Sequence, residues 1–285
     1  MHLDLGTRTL DLTAPVVMGI LNVTPDSFSD GGRYADAAAA IRHGLEMVGA
    51  GAGIIDIGGE STRPGSSGVS DQEQLRRVLP VLRALRDETD AVLSIDTGSA
   101  AVMRECHAAG ADLINDVFGL TRPGAVEAVA DTGAAACIMH MQGAPATMQQ
   151  GPSYDDVVAD VTRFFRSRID ACAAAGIAAG RLILDPGFGF GKTDDHNMRL
   201  LGRLDELAAL GLPVLVGLSR KGSLGRLTGR AVDERLAAGV AAAVMAVERG
   251  ARIVRTHDVP ETVDALRIVQ AARIAAAGTA VNGDD

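Results

Sequence analysis

The most constraining feature of this sequence is a repeated unit: a short apolar run, a polar or glycine-bearing turn, then an alanine-rich stretch with helical periodicity. The apolar runs cover residues 16–22, 53–60, 91–97, 112–117, 135–141, 182–187, 213–219 and 252–258. Ser70 and Glu73 form a capping-box pattern at one helix start. Glycines precede most of the next runs, where left-handed helix C-caps are needed: Gly51, Gly110, Gly133, Gly176, Gly211 and Gly250.

Eight parallel strands joined by short right-handed crossovers close most naturally into a (β/α)8 barrel. The alternative, an open doubly wound sheet, would be expected to have fewer strands or a second domain. No Pro/Ser-rich linker or charge block divides the chain. We therefore predict an α/β fold, a single-domain TIM barrel over residues 1–277, followed by a flexible C-terminal tail over residues 278–285.

The composition restricts the partners and the compartment. With 36 acidic and 27 basic residues the formal charge is −9, which repels nucleic acid and anionic membrane surfaces but leaves a local anion site possible. No apolar run reaches the ~20 residues of a membrane span, and residues 1–15 do not resemble a signal peptide. Three widely spaced cysteines are expected to be reduced core thiols. We predict a cytoplasmic protein with neither nucleic acid nor membrane as a partner.

Polar residues occur at the end of every predicted strand, where barrel enzymes place their chemistry. Any single Asp or Asn there is explained as well or better by helix capping. Capping does not explain a complete set that also includes basic residues, which favours a ligand with a donor-rich heterocycle at one end and an anion at the other. In chain order the set is Asn22, Asp56 with Glu60, Asp96, Asn115, His140, Asp185, Ser219, and Arg255 with His257.

Two familiar motifs are excluded by their spacing. Residues 187–193 (GFGFGKT) resemble a phosphate-binding P-loop, but Pro186 occupies the position of the first glycine. Residues 217–221 (GLSRK) resemble a nucleophile elbow, but Lys221 occupies the position of the second glycine. Neither an NTPase nor a serine hydrolase is supported.

Residues 18–32 (MGILNVTPDSFSDGG) and 57–65 (IGGESTRPG) resemble the two N-terminal signatures of the dihydropteroate synthase family. Shorter matches follow in the family's order at 94–97, 114–116, 139–141, 184–191, 217–221 and 255–258. The two long loops together also separate this family from other pterin-binding barrels. The resemblance implies a folate-biosynthesis transferase that condenses 7,8-dihydropterin-6-ylmethyl pyrophosphate with p-aminobenzoate. It also implies a target of sulfonamides, which mimic p-aminobenzoate.

The resemblance assigns pterin recognition to Asp96, Asn115, Asp185, Lys221 and Met139. Asp185 would accept two parallel hydrogen bonds from the amino and ring N–H edge of the pterin. Lys221 would reach the opposite edge of the ring. Met139, like Val117, would pack on a ring face, and ordinary barrel core is an equally good interpretation of both.

The resemblance places the pyrophosphate against Asn22, Thr62, Arg63, Arg255 and His257. Arg255 and His257 alternate along the predicted eighth strand, so we expect them to point the same way and to bind one diphosphate. The resemblance also implies Mg²⁺ as cofactor, with Asn22 as a metal ligand, because a hard cation prefers oxygen donors. A solvent-exposed loop arginine is the alternative for Arg63.

For p-aminobenzoate the resemblance implies a slot formed by Phe28, Pro64, Phe190 and Ser219. Its catalytic set is Asp30, Lys221 and Asp185, with Asp30 stabilising a pterin cation after pyrophosphate has left. The family often has serine directly after the lysine, where this chain has Gly222. We therefore expect the p-aminobenzoate carboxylate to lose a hydroxyl contact, and backbone N–H groups of the following helix to hold it instead.

Two other functions stay open. A methyltetrahydrofolate-dependent methyltransferase domain on the same barrel would lack the pyrophosphate-binding residues, and a non-catalytic pterin-binding paralogue would have lost part of the first two loops. His140 is either a structural histidine or a ligand contact, and the role of Asp56 is open. The family and the alanine-rich final helices (237–247 and 265–277) suggest a homodimer.

Overall fold

The computed structural model describes residues 1–23, 33–60 and 69–278. Its strands are β1 (His2–Asp4), β2 (Thr9–Asp11), β3 (Val16–Asn22), β4 (Ile54–Gly58), β5 (Val92–Asp96), β6 (Leu113–Asp116), β7 (Ala135–Met139), β8 (Leu182–Asp185), β9 (Val214–Val216) and β10 (Ala251–Thr256). Strands β3 to β10 are parallel and form a closed barrel. Because β10 pairs with β3, as Val254 does with Val17, the sheet has no open edge. The barrel prediction is confirmed and the open sheet is excluded.

Helices surround the barrel. Those described are α1 (Arg33–Gly49), α2 (Asp71–Glu88), α3 (Ala100–Ala108), α4 (Ala125–Thr132), α5 (Val157–Ala174), α6 (Asp194–Gly202), α7 (Leu204–Ala208), α8 (Gly222–Thr228), α9 (Leu236–Glu248) and α10 (Val259–Ala276). The six predicted C-cap glycines have positive φ, from 78° at Gly133 to 107° at Gly110. The capping box at α2 is only half formed. Ser70 Oγ accepts from the Glu73 N–H, but the Glu73 carboxylate accepts from Arg77 instead of returning to the cap.

The barrel strands are buried on both faces, by the helices outside and by side chains inside. Ala, Val, Leu and Ile dominate both layers, in a chain with only 3% aromatic residues. Cys106, Cys137 and Cys172 are fully buried and unpaired, which confirms the interpretation as core thiols. Among the described helices, none combines the length and the hydropathy required to cross a bilayer.

An N-terminal hairpin lies against the amino end of the barrel. Strands β1 and β2 pair antiparallel, with Leu3 opposite Leu10. Leu3, Leu5 and Leu12 are at most 1% exposed and pack in one cluster with residues at the starts of the barrel strands, such as Ile54. This hairpin was not predicted, because its strands have only three residues each and are too short to show a period of two. The hairpin covers the amino end, so the carboxyl end is the open mouth of the barrel.

Candidate active site

The carboxyl ends of the barrel strands bring the predicted polar residues together. Asp96 ends β5, Asn115 lies in β6, Asp185 ends β8, and Arg255 lies near the end of β10. The three residues other than Arg255 are each at most 8% exposed. Parallel strands of a closed barrel all end at the same rim, so residues distant in the sequence meet there.

Asp56 is the centre of this group, although it lies inside β4 rather than at its end. Its fully buried carboxylate accepts hydrogen bonds from Ser94 Oγ at 2.6 Å, Asn115 Nδ2 at 3.0 Å and Arg255 Nε at 2.7 Å. Arg255 Nη2 also donates to Asp96 at 3.1 Å. Asp56 therefore joins a predicted pterin residue to a predicted pyrophosphate residue. The sequence contained the signal, since Asp56 is a charged residue within the apolar run IIDIG.

Burial moves the protonation equilibria of acids and bases at this mouth in opposite directions. Loss of water raises the pKa of Asp96 to about 7, with a neighbouring carboxylate adding to the shift and Arg255 opposing it. Burial also raises the pKa of Asp185, whose Oδ1 accepts from the Gly187 N–H at 2.8 Å. Burial lowers the pKa of Lys221 to about 8, with Arg255 contributing. The mouth thus holds one acid, Asp96, and one amine, Lys221, whose pKa values are shifted toward neutral pH, as at many functional sites.

Phe190 and Lys221 form another wall of the mouth. Lys221 Nζ lies 4.2 Å from the centroid of the Phe190 ring, within the range of a cation–π contact. The two segments approach closely, because a Cβ on Gly189 would lie 3.2 Å from Lys221 Cδ. The structure therefore places a predicted p-aminobenzoate residue against a predicted pterin residue.

Ser219 joins the segments that follow β9 and β10. Its Oγ lies 3.1 Å from His257 Nδ1, donates to Asp258 Oδ2 at 3.2 Å and accepts from the His257 N–H at 3.2 Å. Arg220 adopts φ 58°, a left-handed conformation uncommon outside glycine, and donates to Asp258 at 2.5 Å. The predicted p-aminobenzoate residue Ser219 thus contacts the predicted pyrophosphate residue His257.

Arg255 and His257 do not both lie on the last strand, although the sequence pattern predicted that they alternate along it. Strand β10 ends at Thr256, so the two-residue alternation does not extend to His257. Arg255 bonds to Asp56 and Asp96 across the barrel, whereas His257 contacts Ser219 at the end of β9. Joint binding of a diphosphate stays a prediction that strand geometry alone does not support.

Asn22 is the last residue of β3 and is half-buried. A Cβ on Gly58 would lie 3.5 Å from Asn22 Oδ1, so the amide oxygen faces the end of β4. Among the described residues, no group of three His, Cys, Asp or Glu is arranged to hold a metal. A Mg²⁺ ion at Asn22 would therefore take most of its ligands from a bound anion and from water, which is common for this ion.

Several predictions are not tested by these contacts. Met139 and Val117 are 2% and 5% exposed, which fits both a barrel core and a covered ring face. Phe28, Asp30, Thr62, Arg63 and Pro64 lie outside the described residues, as do residues 279–285 of the predicted tail.

The departure from the family pattern at Gly222 has a structural consequence. Gly222 is the first residue of α8, directly after the N-cap Lys221. Ser223 is 3% exposed, and its buried Oγ has no hydrogen-bond partner in the described part of the protein. The serine one position later therefore does not supply the hydroxyl that Gly222 lacks.

His140 is buried in the wall of the mouth, where Nδ1 lies 2.9 Å from Lys192 Nζ and the backbone N–H donates to the Asp185 carbonyl. Burial and the neighbouring Lys192 lower the pKa of His140 to about 3, so the imidazole is neutral. Of its two interpretations, the structure supports the structural histidine. Lys192 was not among the predicted site residues, because its only sequence signal was the excluded P-loop pattern.

Comparison with known proteins agrees with this geometry. Residues 18–257 match the family model of pterin binding enzymes. The chain is 53% identical over 271 residues to the dihydropteroate synthase of Escherichia coli K12, covering 95% of this chain and 96% of that protein.

Two solved structures extend the similarity to the whole barrel. The Yersinia pestis dihydropteroate synthase in a sulfonamide drug complex has a TM-score of 0.91 and 55% identity, covering 96% of this chain and 99% of that one. The Xanthomonas albilineans dihydropteroate synthase with 4-aminobenzoic acid has a TM-score of 0.90 and 52% identity, covering 95% and 98%. The elements that carry the mouth are thus shared with proteins of one activity.

Proposed function

The chain belongs to the pterin-binding enzyme family and acts as a dihydropteroate synthase, and from this premise we propose how the residues of the mouth divide between its substrates. The reaction condenses 7,8-dihydropterin-6-ylmethyl pyrophosphate with p-aminobenzoate and gives 7,8-dihydropteroate and pyrophosphate. The assignment rests on a cluster of charged and polar residues at the mouth. The cluster belongs to a chain that is 53% identical over 271 residues to the Escherichia coli enzyme. Asp96, Asn115, Asp185, Lys221 and Arg255 form that cluster.

The pterin binds at the base of the mouth. Asp185 accepts the amino and ring N–H donors of the pterin, since a carboxylate matches two parallel donors. Asp96 and Asn115 complete that edge, and both are fixed through the Asp56 and Arg255 network. Lys221 donates to the carbonyl and ring-nitrogen edge, and Met139 packs against the ring.

The pyrophosphate group binds at the outer rim. Arg255 uses Nε and Nη2 for Asp56 and Asp96, and its side chain stays 22% exposed, so its outer edge is the part available to a phosphate oxygen. His257 joins it, together with Thr62 and Arg63. The amide oxygen of Asn22 offers one ligand to a Mg²⁺ ion, which would neutralise charge on the leaving pyrophosphate.

The p-aminobenzoate slot lies between the loops after β8 and β9. Phe190 and Ser219 come from these loops, and their contacts with Lys221 and His257 support a position next to both ends of the pterin substrate. Phe28 and Pro64 complete the slot. Competition between p-aminobenzoate and sulfonamides is expected here, because the two share an aniline ring with an acidic group.

The chemistry is dissociative. The bond between the methylene carbon and oxygen breaks, pyrophosphate leaves with the electron pair, and a pterin-stabilised cation remains. The amine of p-aminobenzoate forms the new carbon–nitrogen bond and loses a proton. Asp30 stabilises the cation, and Lys221 and Asp185 hold the ring in position. Catalysis thus comes from charge placement and orientation and needs no protein nucleophile.

A homodimer is the proposed assembly. Helices α8, α9 and α10 and the turn of residues 232–234 expose large apolar side chains: Leu227, Val232, Leu236, Met245 and Ile268. Exposed apolar groups of this kind mark association surfaces. Light scattering should give the mass of a dimer, and Met245→Glu should lower it to that of a monomer.

A cytoplasmic location is proposed on the basis of the cysteines. All three are unpaired and buried, as expected where thiols stay reduced.

The test measures dihydropteroate and pyrophosphate together after the purified protein is mixed with both substrates and Mg²⁺. We expect the products to form in equal amounts, and Lys221→Ala to lower the rate by about 10²- to 10³-fold. Pterin binding without product would favour the non-catalytic paralogue. Methyl transfer from a methylated folate would favour the methyltransferase.

A further inference from the structure

Lys192 is a buried charged residue for which the proposed reaction has no role. Of the 27 basic residues two are lysine, and both lie at the mouth. Lys221 is assigned to the pterin. Lys192 is 1% exposed, and full burial of an ammonium group opposes folding unless its protons are bonded. In a chain that uses arginine at the other basic positions, a lysine here points to a requirement for the smaller group.

The bonds of Lys192 converge on one loop. Its Nζ donates to the Gly187 carbonyl at 3.1 Å, the Phe190 carbonyl at 3.0 Å and the His140 carbonyl at 3.3 Å, and lies 2.9 Å from His140 Nδ1. In the protonated form of Lys192, three ammonium protons are shared among these four acceptors. Because His140 is neutral, its nitrogen can accept. Lys192 therefore ties the loop of residues 187–191 to the segment after β7.

The same loop is pressed against that segment along its length. A Cβ on Gly187 would lie 1.9 Å from the His140 carbonyl oxygen, and a Cβ on Gly191 would lie 2.3 Å from the Gln142 carbonyl oxygen. Gly187, Gly189 and Gly191 all have positive φ. Only glycine permits both this conformation and this approach.

Other side chains bond the backbone of this loop. Tyr154 Oη donates to the Gly191 carbonyl at 2.7 Å, and Gln149 Nε2 donates to the Gly189 carbonyl at 2.7 Å. The Gly189 N–H donates to Asn197 Oδ1 at 2.8 Å. Three side chains besides Lys192 thus bond the backbone of this loop, and Lys192 supplies its buried contacts.

We propose that Lys192 is a positioning residue for the p-aminobenzoate slot: it fixes the loop of residues 187–191 so that Phe190 stands against Lys221 before the substrate arrives. This inference rests on the proposed function, in which Phe190 lines that slot. Lys192 acts through the loop backbone and touches neither substrate. A preformed wall reduces the ordering that binding requires.

Lys192→Met tests this inference, because it keeps the aliphatic chain and removes the ammonium. We expect the KM for p-aminobenzoate to rise about tenfold, while the KM for the pterin pyrophosphate changes by less than about twofold. Equal increases in both KM values, or no change in either, would overturn the inference.

The matched control is Arg181→Met. Arg181, directly before β8, also bonds backbone carbonyls, those of Val129 in α4 and of Ala134 directly before β7, but at the amino end of the barrel. We expect it to lower the melting temperature and to leave both KM values unchanged. A shift in the p-aminobenzoate KM of Arg181→Met equal to that of Lys192→Met would assign both effects to lost stability and overturn the inference.

Two further variants keep the result decisive. Tyr154→Phe removes one bond to the same loop with little risk to folding, and we expect the p-aminobenzoate KM to rise about two- to threefold. If Lys192→Met does not fold, an unchanged KM in Tyr154→Phe overturns the inference. Phe190→Ala separates the two proposals: no effect of Phe190→Ala on this KM defeats the slot assignment itself. A clear effect of Phe190→Ala without one in Lys192→Met defeats the inference about Lys192 alone.

Discussion

The two ends of the barrel differ in their side chains: the amino end is apolar, and the carboxyl end carries acids and bases. At the amino end, Leu3, Leu5 and Leu12 of the hairpin pack against apolar side chains at the starts of the strands. At the carboxyl end, the same strands present buried acids and bases whose pKa values are shifted by burial, such as Asp96 and Lys221. Buried charge opposes folding, and buried apolar surface favours it. The amino end therefore supplies stability that the carboxyl end uses for binding.

Strands β7 and β8 show the contrast within one pair. Near their starts, Arg181 donates to the carbonyls of Val129 and Ala134 and remains half-buried. Beyond their ends, Lys192 donates to carbonyls of the loop and of His140 and is almost fully buried. Each side chain bonds carbonyls next to one end of this strand pair, but only Lys192 lies beside predicted substrate residues. Variants at the two ends should therefore separate activity from stability.

Asp185→Asn should have the largest effect on activity. It replaces one acceptor of the pterin N–H groups by a donor, so we expect kcat/KM for the pterin substrate to fall by about 10²- to 10³-fold. Burial raises the pKa of Asp185, so its charged form opposes folding above the ordinary pKa of an Asp, and the neutral Asn removes that cost. The melting temperature at pH 7 should therefore stay constant or rise. Steady-state kinetics and calorimetry check both results, and a large loss of stability would contradict the contrast.

Leu12→Ala should have the reverse effect. Leu12 is fully buried in the cluster at the amino end, so its truncation should lower the free energy of unfolding by about 2–4 kcal/mol. The kcat and both KM values of the folded fraction should be unchanged below the melting transition. Denaturant unfolding measures the free energy of unfolding, and steady-state kinetics below the transition measures kcat and both KM values. A change in KM would show that the hairpin is coupled to the mouth.

The barrel itself was predictable because its signals are local and repeated. Each strand is a short apolar run, and each C-cap glycine marks the end of a helix, as Gly110 does after α3. Some predicted strands are longer than the observed ones: the run 53–60 extends beyond β4, which ends at Gly58. The residues at a strand end stop pairing with the neighbouring strands, but nothing in the sequence marks that point. The hairpin escaped because three-residue strands carry no period.

The residues of the site could be predicted from the sequence, but the hydrogen bonds between them could not. The ends of the strands named Asp96, Asn115 and Asp185, since a barrel brings all ends to one rim. Asp56 joins Asn115 to Arg255 because its side chain points into the barrel. The sequence does not show which face of β4 points inward, since apolar residues lie on both of its faces. The contacts that position residues 187–191 come from side chains far apart in the sequence.

The pH profile of kcat/KM tests whether the buried acids and bases of the mouth control activity. Protonation of Asp96, whose pKa is raised to about 7, removes an acceptor as the pH falls. Deprotonation of Lys221, whose pKa is lowered to about 8, removes a cationic donor as the pH rises. We expect a bell-shaped profile for the pterin substrate, with about a tenfold loss for each pH unit beyond its limbs. In Lys221→Arg the alkaline limb should disappear, because a guanidinium stays charged. A flat profile between pH 5 and 9 would contradict this origin.

Gly222→Ser should have the smallest effect and should act only at the mouth. It restores the hydroxyl that the family often has after the lysine, and a Cβ at Gly222 meets only the flexible end of Arg226, 3.0 Å from Nη1. One added hydrogen bond to the p-aminobenzoate carboxylate should lower its KM by about two- to tenfold. Ser223→Ala is the matched control, because the Ser223 hydroxyl is buried without a partner in the described part of the protein and its removal should leave KM unchanged. If Gly222→Ser also leaves KM unchanged, the carboxylate is held elsewhere and the slot does not extend to the start of α8.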